Sequence, residues 1–152
     1  MPASVKLLPA DEIAHVPEGL QPSPFYERTR ALNVNQQWIE WNGYASAVAY
    51  RDAHLEYFAT RNTCAVFDVS PMCKYSISGA DAEAMLNRLV TRDVTKQRAL
   101  SVAYNIWCDD NGRIIDDGTL FKYSTEDFML CAAEPNFDWL QLAAVGFDAL
   151  TI

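Results

Sequence analysis

The fold is decided by residues 101–121, SVAYNIWCDDNGRIIDDGTLF. Residues 101–108 are rich in the β-branched and aromatic types that are favoured in strands. The dipeptide Asn111-Gly112 is the strongest short-range signal for a tight hairpin turn. The chain then returns through a second run of strand-forming residues, 113–123. The stretch therefore predicts two antiparallel strands joined by a turn.

An amphipathic helix is predicted before this hairpin. From Ala82 to Val90, apolar residues fall at i, i+3, i+4, i+7 and i+8, which places one apolar stripe along a helix. The preceding Ser78-Gly79-Ala80-Asp81 is similar to a capping box. Other predicted elements are strands at 64–69, 73–78, 128–132 and 147–152, a strand and turn at 38–44, and helices at 25–30, 51–61 and 135–145, the last ended by Gly146. Together they predict an α+β fold, mainly an antiparallel sheet with packed helices.

Length and charge limit the classes of protein to consider. The 152 residues fit one domain or part of a larger one. Prolines at positions 2, 9, 17, 22 and 24 predict an extended leader over 1–22, followed by a folded part over 23–152. The net charge of -8 argues against nucleic-acid binding, because binding to a phosphate backbone requires a basic surface. No nucleic-acid partner is therefore expected. No secretory signal and no long apolar run is present, so no membrane association is expected.

The cysteines do not predict a metal site. Cys64, Cys73, Cys108 and Cys131 include no Cys-x-x-Cys pair, and the chain has only two histidines. A closed zinc site is therefore not expected. We interpret the four thiols as reduced, which favours a cytoplasmic protein.

The pair Asp116 and Asp117 interrupts the apolar returning strand. Side chains alternate between faces along a strand, so the two carboxylates should point in opposite directions. Asp117 would share its face with Ile115, Thr119 and Phe121, which predicts partial desolvation and a raised pKa. Gly118 would let a flat ligand approach the backbone. The alternative is a bulge near the hairpin end with both acids in solvent.

An ordered series of motifs resembles the glycine cleavage T protein (aminomethyltransferase) family. No single motif is specific, but their order is, and the match covers nearly all of residues 23–152. The motifs are Ser23-Pro24-Phe25-Tyr26, Trp41-Asn42-Gly43-Tyr44, Phe67-Asp68-Val69-Ser70-Pro71-Met72, Gly79, Thr91-Arg92-Asp93-Val94, Tyr104 and the run from Asn111 to Asp117.

The resemblance implies a folate-binding domain of the aminomethyltransferase type and a tetrahydrofolate-dependent enzyme that transfers an aminomethyl or methyl group. It implies that Asp117 is catalytic and contacts the folate, and that Met72 and Tyr104 line the folate pocket. The one-carbon donor would be a small molecule or a lipoyl-carrier protein. Since a full family member is well over twice this length, the chain is expected to be a truncated, N-terminal part that needs a missing C-terminal portion or a partner chain.

The chain also departs from the family pattern. Pro71 stands in place of a histidine, Gly118 in place of a leucine, and Ala132 or Ala133 in place of an asparagine. These departures favour a T-protein-like enzyme that acts on another donor. Two alternatives stay open: a non-catalytic folate-binding module related to iron–sulfur assembly factors, and an inactive fragment.

Overall fold

The computed structural model describes residues 15–152 and divides the chain into two compact units between Pro71 and Met72. Residues 1–14 of the predicted leader lie outside the described residues. Its described part, 15–22, contains no helix, and Gln21 forms a parallel bridge with Tyr44. Among residues 15–152, no helix is both long and apolar enough to cross a bilayer.

The first unit is built around a small hairpin. Its turn residues Asn42 and Gly43 both have positive φ, 48° and 80°, as a two-residue hairpin loop requires. Asp52 caps the longer helix, because its side chain accepts hydrogen bonds from the backbone N–H groups of His54 and Leu55. The elements are helix α1 (Tyr26–Thr29), a 3₁₀ helix (Arg30–Leu32), strands β1 (Trp38–Trp41) and β2 (Tyr44–Ala47), and helix α2 (Ala53–Asn62).

The strand predicted at 64–69 is wrong. This run forms no strand, and Val66 is 92% exposed. The Asp68 carboxylate accepts hydrogen bonds from the Ser23 hydroxyl, at 2.5 Å, and from the Ser70 backbone N–H, at 3.0 Å. An Asx turn of this kind holds the backbone in a bend. Strand propensity depends on context, and here the turn at Asp68 replaces the predicted strand.

The second unit contains one antiparallel sheet with the strand order β3-β6-β5-β4. Its hairpin β4–β5 is the one that the sequence predicts, and the predicted α+β class is confirmed. The elements are β3 (Cys73–Ser78), α3 (Ala82–Leu89), a 3₁₀ helix (Val94–Lys96), β4 (Ser101–Cys108), β5 (Ile114–Lys122), β6 (Asp127–Ala132) and α4 (Phe137–Ala144).

Helices α3 and α4 pack on one face of this sheet. The predicted apolar stripe of α3 is confirmed, since Ala82, Met85, Leu86 and Leu89 are all buried. They join one core with sheet residues that share a single face and with Leu140 of α4. We call this side of the sheet the helix-packed face. Its sheet residues are Ile77, Trp107, Leu120, Phe128, Leu130 and Ala132.

Residues 78–81 lie close to residues 149–151, and this contact replaces both the predicted capping box and the last predicted strand. Asp81 precedes α3 but makes no capping bond; its carboxylate accepts instead from the Ala149 N–H at 2.9 Å. The predicted strand 147–152 is reduced to a single bridge between Ser78 and Thr151. At Gly79, with φ 124°, a Cβ would lie 2.2 Å from the Ala149 carbonyl oxygen, so a glycine is required there.

The opposite face of the sheet is not covered by α3 or α4. On β4 and β5, alternation places Val102, Tyr104, Ile106, Asp117, Thr119 and Phe121 on this side, which we call the open face. Val102 and Tyr104 are 53% and 54% exposed. A sheet with one packed face and one open face is common in antiparallel architectures.

Gly118 has a packing role, so the prediction that it admits a flat ligand is wrong. It pairs with Asn105 and Ala132 on the helix-packed face. A Cβ at this position would lie 2.1 Å from the carbonyl oxygen of Cys131 and 3.2 Å from the Trp107 ring. The space beside the glycine is therefore filled by protein.

Gly118→Ala should reduce the free energy of unfolding by about 1–3 kcal/mol, because the added methyl group overpacks the sheet against Cys131 and Trp107. Urea unfolding followed by circular dichroism measures the change. Ser76→Ala, an exposed position on the edge strand β3, is the control and should stay within about 0.5 kcal/mol. Equal stability of Gly118→Ala and the unaltered chain would contradict the packing role.

Candidate functional site

The register of β4 and β5 brings Tyr104 and Asp117 together on the open face. Ile106 pairs with Asp117, and Tyr104 pairs with Thr119, so Tyr104 and Asp117 are diagonal neighbours. A long aromatic side chain can bridge this diagonal. The Tyr104 hydroxyl donates a hydrogen bond to Oδ2 of Asp117 at 2.7 Å. Two of the three residues predicted for the site are therefore in direct contact.

The expected desolvation of Asp117 is wrong for this chain. Thr119 and Phe121 do share its face, but the helices of the unit cover only the other side, and Asp117 is exposed. The register shifts at the end of the hairpin, where Cys108 pairs with Ile114 and Trp107 with Asp116, so Ile115 is an extra residue. A bulge therefore exists, as the alternative prediction held, although only one of the two acids lies in solvent.

Asp116 lies on the helix-packed face and is fully engaged in hydrogen bonds. Its Oδ2 accepts from the side-chain amide of Asn136 at 2.6 Å and from the Glu134 N–H at 3.4 Å. Its Oδ1 accepts from the backbone N–H of Asp117 at 2.8 Å. The opposite orientations predicted for the two carboxylates are thus confirmed. Asp116 fixes the backbone from which Asp117 projects.

Asn136 connects Asp116 to the core, and the sequence analysis missed it. It is 6% exposed; its backbone N–H donates to the Tyr75 hydroxyl at 2.6 Å, and Trp107 Nε1 donates to its Oδ1 at 3.4 Å. Burial raises the pKa of Tyr75, so this hydroxyl keeps its proton. The sequence did contain a signal for this contact. A carboxylate on a packed face needs a polar partner, and Asn136 lies in the first turn of the predicted helix 135–145.

Met72 lies further from the pair. It is a half-buried bend residue directly before β3, and its carbonyl accepts from the Lys74 ammonium at 2.8 Å. Cys73 pairs with Ala132, which in turn pairs with Gly118. Met72 and Asp117 therefore each precede a residue of the same row, which runs across the sheet from Cys73 through Ala132 to Gly118. Strand β6 lies between β3 and β5, so these two strands are about 10 Å apart. The structure does not bring Met72 into contact with Asp117.

The charge state of Tyr104 follows from its partner. The hydrogen bond to Asp117 raises the pKa of Tyr104, with further contributions from partial desolvation and from the negative charges of Asp117 and Asp116. Ionisation would place a phenolate next to a carboxylate, so the neutral phenol persists to a higher pH than in a free tyrosine. At neutral pH Tyr104 is therefore a hydrogen-bond donor.

Two cavities of the described chain lie away from the pair of Tyr104 and Asp117. One cavity of about 370 Å³ lies between α4 and the segment after it, and one of about 380 Å³ lies beside α3; neither is lined by Asp117, Tyr104 or Met72. Among residues 15–152, no three His, Cys, Asp or Glu side chains are grouped as a metal site would need. The pair on the open face combines a carboxylate, held by a phenol hydroxyl, with exposed apolar side chains of the same strands.

Comparison with known proteins decides the family. The chain matches the model of the GCVT N-terminal domain over residues 25–150. It belongs to the GCVT N-terminal domain family. The resemblance to the glycine cleavage T protein is thereby confirmed, and the site lies inside the part of the chain that carries the family match.

Other members of the GCVT family include enzymes much longer than this chain. The aminomethyltransferase of Desulfitobacterium hafniense (strain DSM 10664 / DCB-2) is 32% identical over 133 residues, which cover 85% of this chain and 36% of that protein. The aminomethyltransferase of Thermoanaerobacter sp. (strain X514) is 30% identical over 128 residues, 82% of this chain and 34% of that protein. The chain thus spans about a third of the length of these relatives.

A solved structure has the same fold as this GCVT-family chain. Glycine cleavage system aminomethyltransferase T from Bartonella henselae superposes with a TM-score of 0.71 at 21% identity. The superposition covers 87% of this chain and 37% of that one. It confirms the aminomethyltransferase-type fold.

The contact between Tyr104 and Asp117 can be tested by titration. Asp117→Asn removes the negative charge next to the phenol, so the pKa of Tyr104 should fall towards that of a free tyrosine. Nuclear magnetic resonance of tyrosine labelled with carbon-13 at Cζ, assigned with Tyr104→Phe, measures it. Asp110→Asn, in the exposed hairpin turn, should leave that pKa unchanged. An unchanged Tyr104 pKa in Asp117→Asn would contradict the contact.

Proposed function

We propose that this chain is the carboxylate-bearing part of a tetrahydrofolate-dependent one-carbon transferase, acting on an aminomethyl or methyl group. Family membership supports the proposal at the level of an aminomethyltransferase-like protein. The observation that supports tetrahydrofolate-dependent transfer is the carboxylate of Asp117. It is exposed on the open face and accepts a hydrogen bond from the Tyr104 hydroxyl. A carboxylate fixed in this way can orient an amine that approaches the sheet.

The residues of the open face fit a flat heterocycle that bears amines. Asp117 Oδ2 accepts from Tyr104, and within residues 15–152 no hydrogen bond occupies Oδ1, which is left for an amine N–H. The exposed Tyr104 ring and Val102 provide apolar surface beside it. Met72, at the start of β3, would line the far side of such a ligand. When bound, tetrahydrofolate supplies the secondary amine to which the one-carbon unit becomes joined.

Asp117 would act mainly by orientation. Its carboxylate accepts the amine N–H, directs the nitrogen lone pair at the one-carbon group, takes the proton that this nitrogen loses, and returns one proton to the donor's leaving group. Asp117 is exposed in this chain, and water reaches its carboxylate. Holding the two reactants in line therefore contributes more than proton transfer.

The whole protein's activity, donor and partners are part of the same proposal, since the chain spans about a third of its relatives. A small-molecule donor or a lipoyl-carrier protein would supply the one-carbon unit, and a missing C-terminal portion or a partner chain would complete the pocket. Pro71 still favours a donor other than that of the T protein, whereas Gly118 is explained by packing. A cytoplasmic location is also proposed.

A second candidate is a folate-binding module without catalysis. The exposure of Asp117 and its absence from the two cavities described above favour it, because general acid–base chemistry benefits from an enclosed site. An inactive fragment is the third possibility. Binding and turnover measurements separate the three.

The test uses tetrahydrofolate and an aminomethylated lipoyl-carrier protein with the unaltered chain. Calorimetry measures tetrahydrofolate affinity, and formation of methylenetetrahydrofolate measures turnover. Asp117→Asn should lower turnover about 10²-fold or more and change affinity only severalfold. Asp110→Asn is the matched control and should change neither.

Asp116→Asn tests stability rather than chemistry, because it places an amide against the Asn136 amide and weakens the support of Asp117. Tetrahydrofolate binding without turnover would favour the non-catalytic module. The absence of both tetrahydrofolate binding and turnover would contradict the proposal for this chain. Equal turnover in Asp117→Asn and Asp110→Asn would contradict the catalytic role of Asp117.

A further inference from the structure

The hydroxyl of Tyr104 has a role separate from that of its ring, because it donates a hydrogen bond to Asp117. Tyr104 and Asp117 are diagonal neighbours on two strands, and the length of the tyrosine side chain brings its hydroxyl to the carboxylate. The bond of 2.7 Å is in the range of strong O–H to carboxylate hydrogen bonds. A phenylalanine would keep the ring on the open face and lose this bond.

The backbone on both sides of this bond is also held. The N–H of Asp117 donates to Oδ1 of Asp116 at 2.8 Å. The carbonyl of Tyr104 accepts from Arg92 Nη1 at 3.2 Å. With the two backbones fixed, the remaining freedom lies in the Asp117 side chain, which at an exposed position would otherwise populate several staggered rotamers.

We propose that Tyr104 is a positioning residue: its hydroxyl holds Oδ2 of Asp117 so that Oδ1 is the oxygen presented to the amine of the folate. The proposal rests on the function proposed above and adds a role to the expected lining of the pocket. Tyr104 selects one Asp117 rotamer before the ligand arrives. Pre-organisation of this kind removes an ordering cost from the reacting complex.

The first experiment measures the Asp117 rotamer in the chain without any ligand. Three-bond nuclear magnetic resonance couplings to the Asp117 β protons should show one dominant χ1 rotamer in the unaltered chain. In Tyr104→Phe they should show averaging over several rotamers. Tyr123→Phe, at an exposed tyrosine just after β5, should leave the single rotamer in place. Averaged couplings in the unaltered chain, or one retained rotamer in Tyr104→Phe, would overturn the proposal.

The second experiment is a double-mutant cycle with Asp117→Asn. Tyr104→Phe should lower kcat by roughly tenfold or more while KM and tetrahydrofolate affinity by calorimetry change little, because the ring is kept. In the Asp117→Asn background the same substitution should have almost no further effect. A residue that only lined the pocket would give equal effects in both backgrounds, which would overturn the positioning role.

The two proposals fail in different ways. If the rotamer is released in Tyr104→Phe but Asp117→Asn leaves tetrahydrofolate affinity and turnover unchanged, the proposed function is wrong, and with it the presentation of Oδ1 to a folate. If Asp117→Asn impairs turnover but the rotamer does not depend on Tyr104, the function stands and the positioning role is wrong. The rotamer measurement needs no turnover, so it is decisive for the chain as it exists.

Discussion

The antiparallel pairing of β4 with β5 is the constraint on which the site depends. Its register sets Asp116 opposite Trp107 on the helix-packed face and Asp117 opposite Ile106 on the open face. A shift by one residue would exchange the two carboxylates, placing Asp117 against the core and Asp116 in solvent. The packing of Gly118 against Cys131 and Trp107 opposes such a shift, because no larger side chain fits there.

The sequence predicts what local periodicity and turn chemistry determine. The hairpin at Asn111-Gly112, the stripe of α3 and the opposite orientation of Asp116 and Asp117 all follow from spacing, and the structure confirms them. Features that depend on tertiary packing could not be predicted from local spacing. Residues 64–69 form no strand despite their composition, and the partial burial expected for Asp117 is absent because the helices pack on the other face of the sheet.

The two carboxylates have different surroundings and different proposed roles. Asp116 is committed to Asn136, Glu134 and the backbone of Asp117, so it is a structural anchor. Asp117 has one oxygen engaged by Tyr104 and projects from the opposite side of the same strand. Asp116 thus holds the strand from the helix-packed face, while Asp117 is held by Tyr104 on the open face without being enclosed. In the function proposed above, Asp117 orients the amine of the ligand, and a missing C-terminal portion or a partner chain would enclose the site.

The most direct test of the account is a map of amide chemical shifts on addition of tetrahydrofolate to the chain. The account predicts that the largest shifts fall on the open face, at Tyr104, Asp117 and Thr119, and that Asn136 and Trp107 on the opposite side move little. Shifts centred on the helix-packed face, or none at saturating tetrahydrofolate, would contradict it.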